Sequence, residues 1–148
     1  MAVDVVTEAV LDHPRHVVAA FAGDPSNAPR WYTNIDHVEW LTPPPLAVGS
    51  RLAFRARFLG RVLEYVYEVV DLEPGRRLVM RTEQGPFPME TTYTWDDTGD
   101  GRTRMALRNR GEPSGFAAVT APAMKAAIRR ANRKDLARLA EVLTHSGG

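Results

Sequence analysis

Residues Gly115 to Leu143, GFAAVTAPAMKAAIRRANRKDLARLAEVL, decide the fold. No glycine occurs between these limits, and apolar residues recur at helical spacing, about 100° per residue. The apolar residues fall in one arc and the cations fall opposite, which predicts an amphipathic helix roughly 40 Å long. Such a helix needs a broad apolar surface to lie on. The arc holds Met124, Ile128, Ala131, Leu139, Val142 and Leu143, and the opposite face holds Arg129, Arg130, Arg133, Lys134 and Arg138.

Two polar residues, Asn132 and Asp135, lie inside this apolar arc. An unpaired polar group in apolar surroundings costs on the order of a few kcal/mol, so each side chain needs a partner. One interpretation places both at a ligand cavity, where they present an amide and a carboxylate. The other pairs Asp135 with an arginine from a loop or strand, and Asn132 with a backbone group. Earlier in the stretch, Pro122 is expected to kink or restart the helix.

The middle of the chain supplies the apolar surface as a run of strands. In one of them Leu52, Phe54 and Ala56 alternate with Arg51 and Arg55, the period of a half-buried strand. A further strand and two short helices precede the run. The predicted strands are Ala2–Val10, Ile35–Leu41, Arg51–Phe58, Arg61–Leu72, Arg77–Glu83, Met89–Asp96 and Arg102–Glu112, and the short helices lie between Val17 and Trp31.

The resulting order, β-α-α-β6-α, is that of the helix-grip fold, an α+β architecture. Most of the strands are joined by tight turns, which predicts antiparallel neighbours. The apolar face of this curved antiparallel sheet must be covered, and the long C-terminal helix is long enough to do so. A length of 148 residues suits one core, so residues 1–148 are expected to form a single domain.

Composition excludes several classes of function. A net charge of +1 gives no general attraction to nucleic acid or anionic membranes, and the absence of cysteine excludes disulfides and thiolate chemistry. His13 and His16 lie close to Asp12 but lack a further well-spaced ligand, so no metal is expected. No segment approaches 18 consecutive apolar residues, and the N-terminal residues lack a signal-peptide pattern. A cytoplasmic protein without a membrane span is therefore expected.

Several short motifs carry a resemblance to a known family. They are Asp24-Pro25 before Arg30-Trp31, Val38-Glu39-Trp40, Val48-Gly49-Ser50-Arg51, Gly101-Arg102-Thr103-Arg104, and Asn132 to Leu143. With them the chain resembles, over nearly its whole length, the START-like (SRPBCC) superfamily, in particular its bacterial branch of polyketide cyclase/dehydrase and lipid-transport proteins. The resemblance implies the helix-grip fold. It assigns no catalytic residue, because this branch has no shared catalytic motif, and the scaffold hosts many functions.

A sheet curled around one helix leaves a gap, and aromatic residues are placed to line it. Pockets of this kind are mostly apolar, with a few polar groups that fix orientation. Plain core packing is the alternative for any single aromatic residue. The predicted ligand-binding residues are Trp31, Phe54, Phe58, Tyr65, Tyr67, Thr91, Tyr93, Trp95, Asn109, Met124, Ile128, Asn132 and Asp135.

The first functional hypothesis is therefore binding of a small hydrophobic ligand, such as a lipid, isoprenoid or polyketide-like molecule, by a monomer or homodimer. The alternative is an enzyme of the polyketide cyclase or dehydratase type, working without metal or organic cofactor. In that case a tyrosine, Asp135 or Asn109 would assist proton transfer or polarise a carbonyl.

A second alternative is a protein- or RNA-interaction module that uses an arginine-rich sheet face. Acidic residues on the charged strand faces can neutralise these arginines, so nucleic acid is an unlikely partner and a salt-bridged outer face is favoured. The arginines are Arg102, Arg104, Arg108 and Arg110 on one strand and Arg51, Arg55 and Arg57 on another, and the acids are Glu64, Glu68 and Glu90.

Overall fold

The computed structural model describes residues 3–84, 88–112 and 120–146. Its element order agrees with the predicted one and confirms the α+β helix-grip architecture. The elements are β1 (Val3–Leu11), α1 (Arg15–Ala22), a short 3₁₀ turn (Pro25–Asn27), α2 (Ala28–Trp31), β2 (Ile35–Trp40), β3 (Arg51–Phe58), β4 (Arg61–Glu73), β5 (Arg77–Gln84), β6 (Met89–Asp97), β7 (Thr103–Gly111) and α3 (Ala121–Ser146).

The strands form one seven-stranded antiparallel sheet in the order β1-β7-β6-β5-β4-β3-β2. The first strand thus lies beside the last, while the others follow one another as a meander. The register is irregular in β2 between Ile35 and His37, and in β4 after Val66 and after Val69. Such irregularities bend a strand and increase its twist. The sheet is accordingly curved, and its concave face is the one that α3 covers.

The helix α3 begins at Ala121 and continues past the predicted end at Leu143 to Ser146. The predicted residues 115–119 lie outside the described part of the chain. Pro122 lies in the first helical turn, where its missing N–H costs no helical hydrogen bond. Thr120 caps the N-terminus of the helix. Its carbonyl accepts a hydrogen bond from the Met124 N–H at 2.9 Å, and its hydroxyl accepts one from the Ala123 N–H at 3.4 Å. Pro122 therefore marks the start of the described helix.

Buried residues form a large cluster and a small one. The large cluster joins the C-terminal half of α3, with Leu136, Leu139 and Leu143, to the centre of the sheet and to α1. Complete burial of one such leucine contributes about 1.5–3 kcal/mol. The small cluster consists of Val3, Val5, Leu63 and Met124 near the helix N-terminus. Residues from both clusters line a cavity between helix and sheet.

Candidate ligand cavity

The cavity has a volume of about 150 Å³ and lies between α3 and the concave face of the sheet. Strands β3, β4, β6 and β7 contribute inward-facing side chains because alternate residues of a strand face the same side. Most of the predicted site residues line it. These are Phe54, Phe58, Tyr65, Tyr67, Thr91, Tyr93, Asn109, Met124, Ile128, Asn132 and Asp135.

The structure places two of the predicted residues, Trp31 and Trp95, outside this lining. Trp31 is 0 % exposed and packs against Tyr32, with ring centroids 4.2 Å apart. Trp95 faces the same side of β6 as Tyr93 but lies closer to α1, and its Cη2 atom is 3.3 Å from where a Cβ on Gly23 would lie. The indole N–H of neither tryptophan has a hydrogen-bond partner among the described residues. Both side chains are core packing residues in this structure.

Sequence analysis missed the residues contributed by the segment between α2 and β2. Tyr32 and Asn34 line the cavity, and Thr33 between them bonds to a lining residue. No periodic pattern identifies residues in a connection of this length, because neither the helical nor the strand period applies there. The available signal was Tyr32 itself, an aromatic side chain next to the buried Trp31. The preference of aromatic rings to pack together favours burial of both.

Aromatic rings form one wall of the cavity. Phe54 on β3 and Tyr65 on β4 are direct cross-strand partners, and their rings stack with centroids 5.5 Å apart. The ring of Tyr67 meets both edge-on, with its centroid 5.6 Å from that of Phe54 and 5.0 Å from that of Tyr65. Contacts of this geometry stabilise aromatic pairs beyond their buried area. The wall is therefore apolar on its ring faces, and only Tyr65 and Tyr67 add a hydroxyl group to it.

A chain of hydrogen bonds crosses the cavity floor and connects α3 to three strands. Asn132 donates from Nδ2 to Oδ1 of Asn109 at 2.7 Å, and Asn109 donates in turn to the Thr91 hydroxyl at 3.5 Å. Thr91 bonds to the Tyr67 hydroxyl at 2.7 Å. Burial raises the pKa of Tyr67 to about 12, although the bond to Thr91 opposes the shift. The partner of Asn132 is thus a side chain, whereas one interpretation of the sequence expected a backbone group.

Asp135 lies one turn further along α3 and is 1 % exposed. Its Oδ1 atom accepts from the Thr33 N–H at 2.9 Å and from the Thr33 hydroxyl at 3.0 Å. Burial raises the pKa of the Asp135 carboxyl because a charged form loses hydration there, and the two bonds from Thr33 partly offset the shift. The arginine pairing considered from the sequence does not occur among the described residues: no ion pair there includes Asp135.

Two phenols lie close to this carboxyl. The hydroxyl groups of Tyr32 and Tyr93 bond to each other at 2.5 Å. Burial raises the pKa of both phenols, and the negative charge of Asp135 adds to the effect. Both hydroxyls are therefore protonated at neutral pH. The cavity thus has an aromatic wall and two polar regions on α3, one at Asn132 and one at Asp135.

The arginines of the outer sheet face are largely paired with acids. Arg108 contacts Asp4 at 2.7 Å, and Glu90 contacts Arg81 at 2.7 Å and Arg110 at 3.5 Å. Surface pairs of this kind contribute little to stability, but they neutralise the face. The structure supports the salt-bridged outer face that the sequence favoured. Within the described part of the chain, no helix combines the length and the apolar character that crossing a membrane requires.

Comparison with known protein families identifies the class of the chain. The model of the family described as polyketide cyclase / dehydrase and lipid transport matches residues 2–144. The chain therefore belongs to this family, within the START-like superfamily expected from its motifs. Comparison with curated protein sequences gave no match.

Solved structures show the same fold at low sequence identity. A START superfamily protein from Mycobacterium smegmatis is 15 % identical with a TM-score of 0.82, over 96 % of this chain and 97 % of that one. The Zhui aromatase/cyclase from Streptomyces sp. R1128 is 17 % identical with a TM-score of 0.78, over 100 % and 99 %. Major latex-like protein 151 from Panax ginseng is 14 % identical with a TM-score of 0.72, over 97 % of each chain. These similarities extend to the fold alone.

Proposed function

We propose that this protein binds a small, largely apolar molecule in the cavity between the sheet and α3. The observation that carries the proposal is the aromatic wall of Phe54, Tyr65 and Tyr67 facing open space instead of further side chains. Protein interiors are close-packed, with few voids larger than a water molecule. A cavity of about 150 Å³ in a chain of 148 residues is therefore unusual for plain core packing and favours a binding site. Membership in a family described by cyclase and lipid-transport functions supports the same conclusion.

The volume of the cavity restricts its occupant. An engineered apolar cavity of about 150 Å³ holds benzene, whereas sites for drug-sized ligands run from about 300 to 1,000 Å³. The volume here is about 150 Å³. The expected ligand is accordingly a single substituted ring or a short branched chain, such as an isoprenyl unit or a one-ring polyketide. A multi-ring ligand would require the helix and sheet to move apart.

Two substitutions on one helix provide a test with its own control. Ala131 lines the cavity, whereas Ala137 on the same helix is exposed and is not a lining residue. Ala131→Leu adds a side chain that fills the cavity, whereas Ala137→Leu adds the same atoms in solvent. Toluene binding is measured by calorimetry for the wild type and for both variants, after native mass spectrometry of gently purified protein for any copurified ligand. We expect toluene to bind the wild type and Ala137→Leu with similar affinity.

Ala131→Leu should lose measurable toluene binding while it keeps a cooperative unfolding transition. Equal affinity in all three proteins would show that toluene binds elsewhere. Absence of toluene binding by the wild type, together with no copurified ligand, would contradict the proposal.

A further inference from the structure

We propose that the cavity prefers ligands that carry an ammonium group, with Asp135 as its counterion and the aromatic wall as the surface around it. The inference rests on the proposed function, because it names the chemistry that the same cavity selects. It goes beyond that function by assigning the polar group of the ligand and the residue that contacts it.

The first observation is the unequal use of the two carboxyl oxygens of Asp135. Oδ1 accepts both bonds from Thr33 and holds the side chain in place. Both hydrogen bonds to the Asp135 side chain from described residues use Oδ1, and none uses Oδ2. Asp135 lines the cavity, so this second oxygen is available to a ligand bound there. A group that donates hydrogen bonds is the natural partner for it.

The second observation is that Asp135 has no ion-pair partner among the described residues. Lys134 and Arg138, the neighbouring cations on α3, are exposed, and neither forms an ion pair with Asp135 in the described part of the chain. Arg138 donates from its Nε to the backbone oxygen of Arg30. Arg110 lines the cavity edge but contacts Glu90 at 3.5 Å. A buried carboxylate without a cation is costly, and a well-placed positive charge compensates much of that cost. Among the described residues no cation pairs with Asp135, and Lys134 and Arg138 act on it only through their nearby charge.

The third observation is the surface around the carboxyl. The Tyr32 and Tyr93 hydroxyls bond to each other, and neither bonds to Asp135. Phe54, Tyr65 and Tyr67 line the same cavity. An aromatic face carries negative charge density and attracts organic cations, and cages of aromatic rings bind ammonium groups for this reason. A carboxylate within an aromatic enclosure thus favours an amine over a neutral molecule of the same shape.

The small cavity volume calls for a one-ring molecule as the test ligand. Benzylamine has one ring and a one-carbon arm bearing the ammonium group, and benzyl alcohol is its neutral counterpart of nearly the same shape. Affinities of both for the full chain are measured by calorimetry at neutral pH, with toluene as the unsubstituted reference. We expect benzylamine to bind at least about tenfold more tightly than benzyl alcohol, a difference of roughly 1.4 kcal/mol.

Asp135→Asn supplies the decisive variant, because an amide keeps an oxygen for the two Thr33 bonds and removes the charge. It should lower benzylamine affinity at least about tenfold and leave benzyl alcohol affinity within about twofold. The matched control is Asp36→Asn, which removes the same charge from an exposed carboxylate on β2 that pairs with Arg57 at 3.6 Å. This control should leave both affinities unchanged.

The outcomes separate this inference from the function on which it rests. Toluene and benzyl alcohol binding as tightly as benzylamine in the wild type would overturn the ammonium preference and leave the binding function standing. Unchanged benzylamine affinity in a folded Asp135→Asn protein would likewise remove Asp135 as the counterion. If none of the three molecules binds the wild type, both proposals fail. If Asp135→Asn does not fold, the affinities of the wild type for the three ligands still test the ammonium preference.

Discussion

Asn132 on α3 donates a 2.7 Å hydrogen bond to the side-chain oxygen of Asn109 on β7. The same amide group lies 3.5 Å from the Thr7 hydroxyl on β1. These contacts connect helix and sheet through buried or half-buried side chains. They also keep one polar region of the cavity in a fixed position relative to the aromatic wall.

The Asn132–Asn109 pair should show strong coupling in a double-mutant cycle. Asn109→Leu alone removes the 2.7 Å acceptor of the Asn132 amide, leaves only the longer contact to Thr7, and should cost about 1–3 kcal/mol because a buried donor loses its main partner. Asn132→Leu should cost a similar amount. The double variant removes both polar groups and should recover part of the loss. Unfolding in urea, followed by circular dichroism, measures the three free energies. Additive losses would contradict a direct interaction between the two side chains.

The carboxyl of Asp135 should make stability depend on pH. Its pKa is raised by burial above the value near 3.9 of an unfolded chain. Between these two pKa values the native state binds more protons than the unfolded state, so the free energy of unfolding falls as pH rises through this window and levels off above it. The free energy of unfolding of Asp135→Asn minus that of the wild type should therefore increase from pH 4 towards neutral pH. Urea unfolding at intervals from pH 4 to 8 measures this difference.

The control for that series is again Asp36→Asn, whose carboxylate is exposed at the surface. The difference in free energy of unfolding between Asp36→Asn and wild type should not follow the pH dependence measured for Asp135→Asn. A difference between Asp135→Asn and wild type that stays constant over the whole series would show that the carboxyl titrates equally in the folded and unfolded chain.

Two truncations on α3 should differ because one residue lies in the packed core and the other at the cavity. Leu139 is 0 % exposed within the large cluster, so Leu139→Ala should cost about 2–5 kcal/mol. Ile128 is partly buried and borders open space, so Ile128→Ala loses fewer contacts and should cost less. It also enlarges the cavity, which should raise the affinity for p-xylene relative to toluene. Equal stability losses, or an unchanged ligand preference, would place Ile128 in the packed core instead.

The fold was predictable because buried residues recur along its main strands and its long helix at the spacing typical of each element, and the sequence shows this spacing. On β3, Leu52, Phe54 and Ala56 are buried while Arg51 and Arg55 are exposed, which is the alternation that the sequence shows. On α3 the apolar arc is likewise the buried side. Periodicity reports which face of an element is covered, and in a sheet covered by one long helix this information is nearly sufficient to assign the architecture.

Periodicity does not report where along a face a side chain lies. Tyr93 and Trp95 share one face of β6, yet only the former lines the cavity. The partner of Asp135 was also beyond prediction, because Thr33 lies in a connection 102 positions away. Such contacts depend on how the helix is seated on the sheet, and no local pattern encodes that placement.

The position of β1 beside β7 has a consequence for how the molecule is made. Asp4 and Arg108, which bond across these strands, are separated by 104 positions. Contacts so distant along the chain carry a large loop-closure entropy, and folds rich in them form slowly. During synthesis β1 has no strand to pair with until β7 leaves the ribosome, and α3 follows later still. The cavity therefore comes into existence only when nearly the whole polypeptide is present, so no N-terminal fragment ending before β7 can bind a ligand in it.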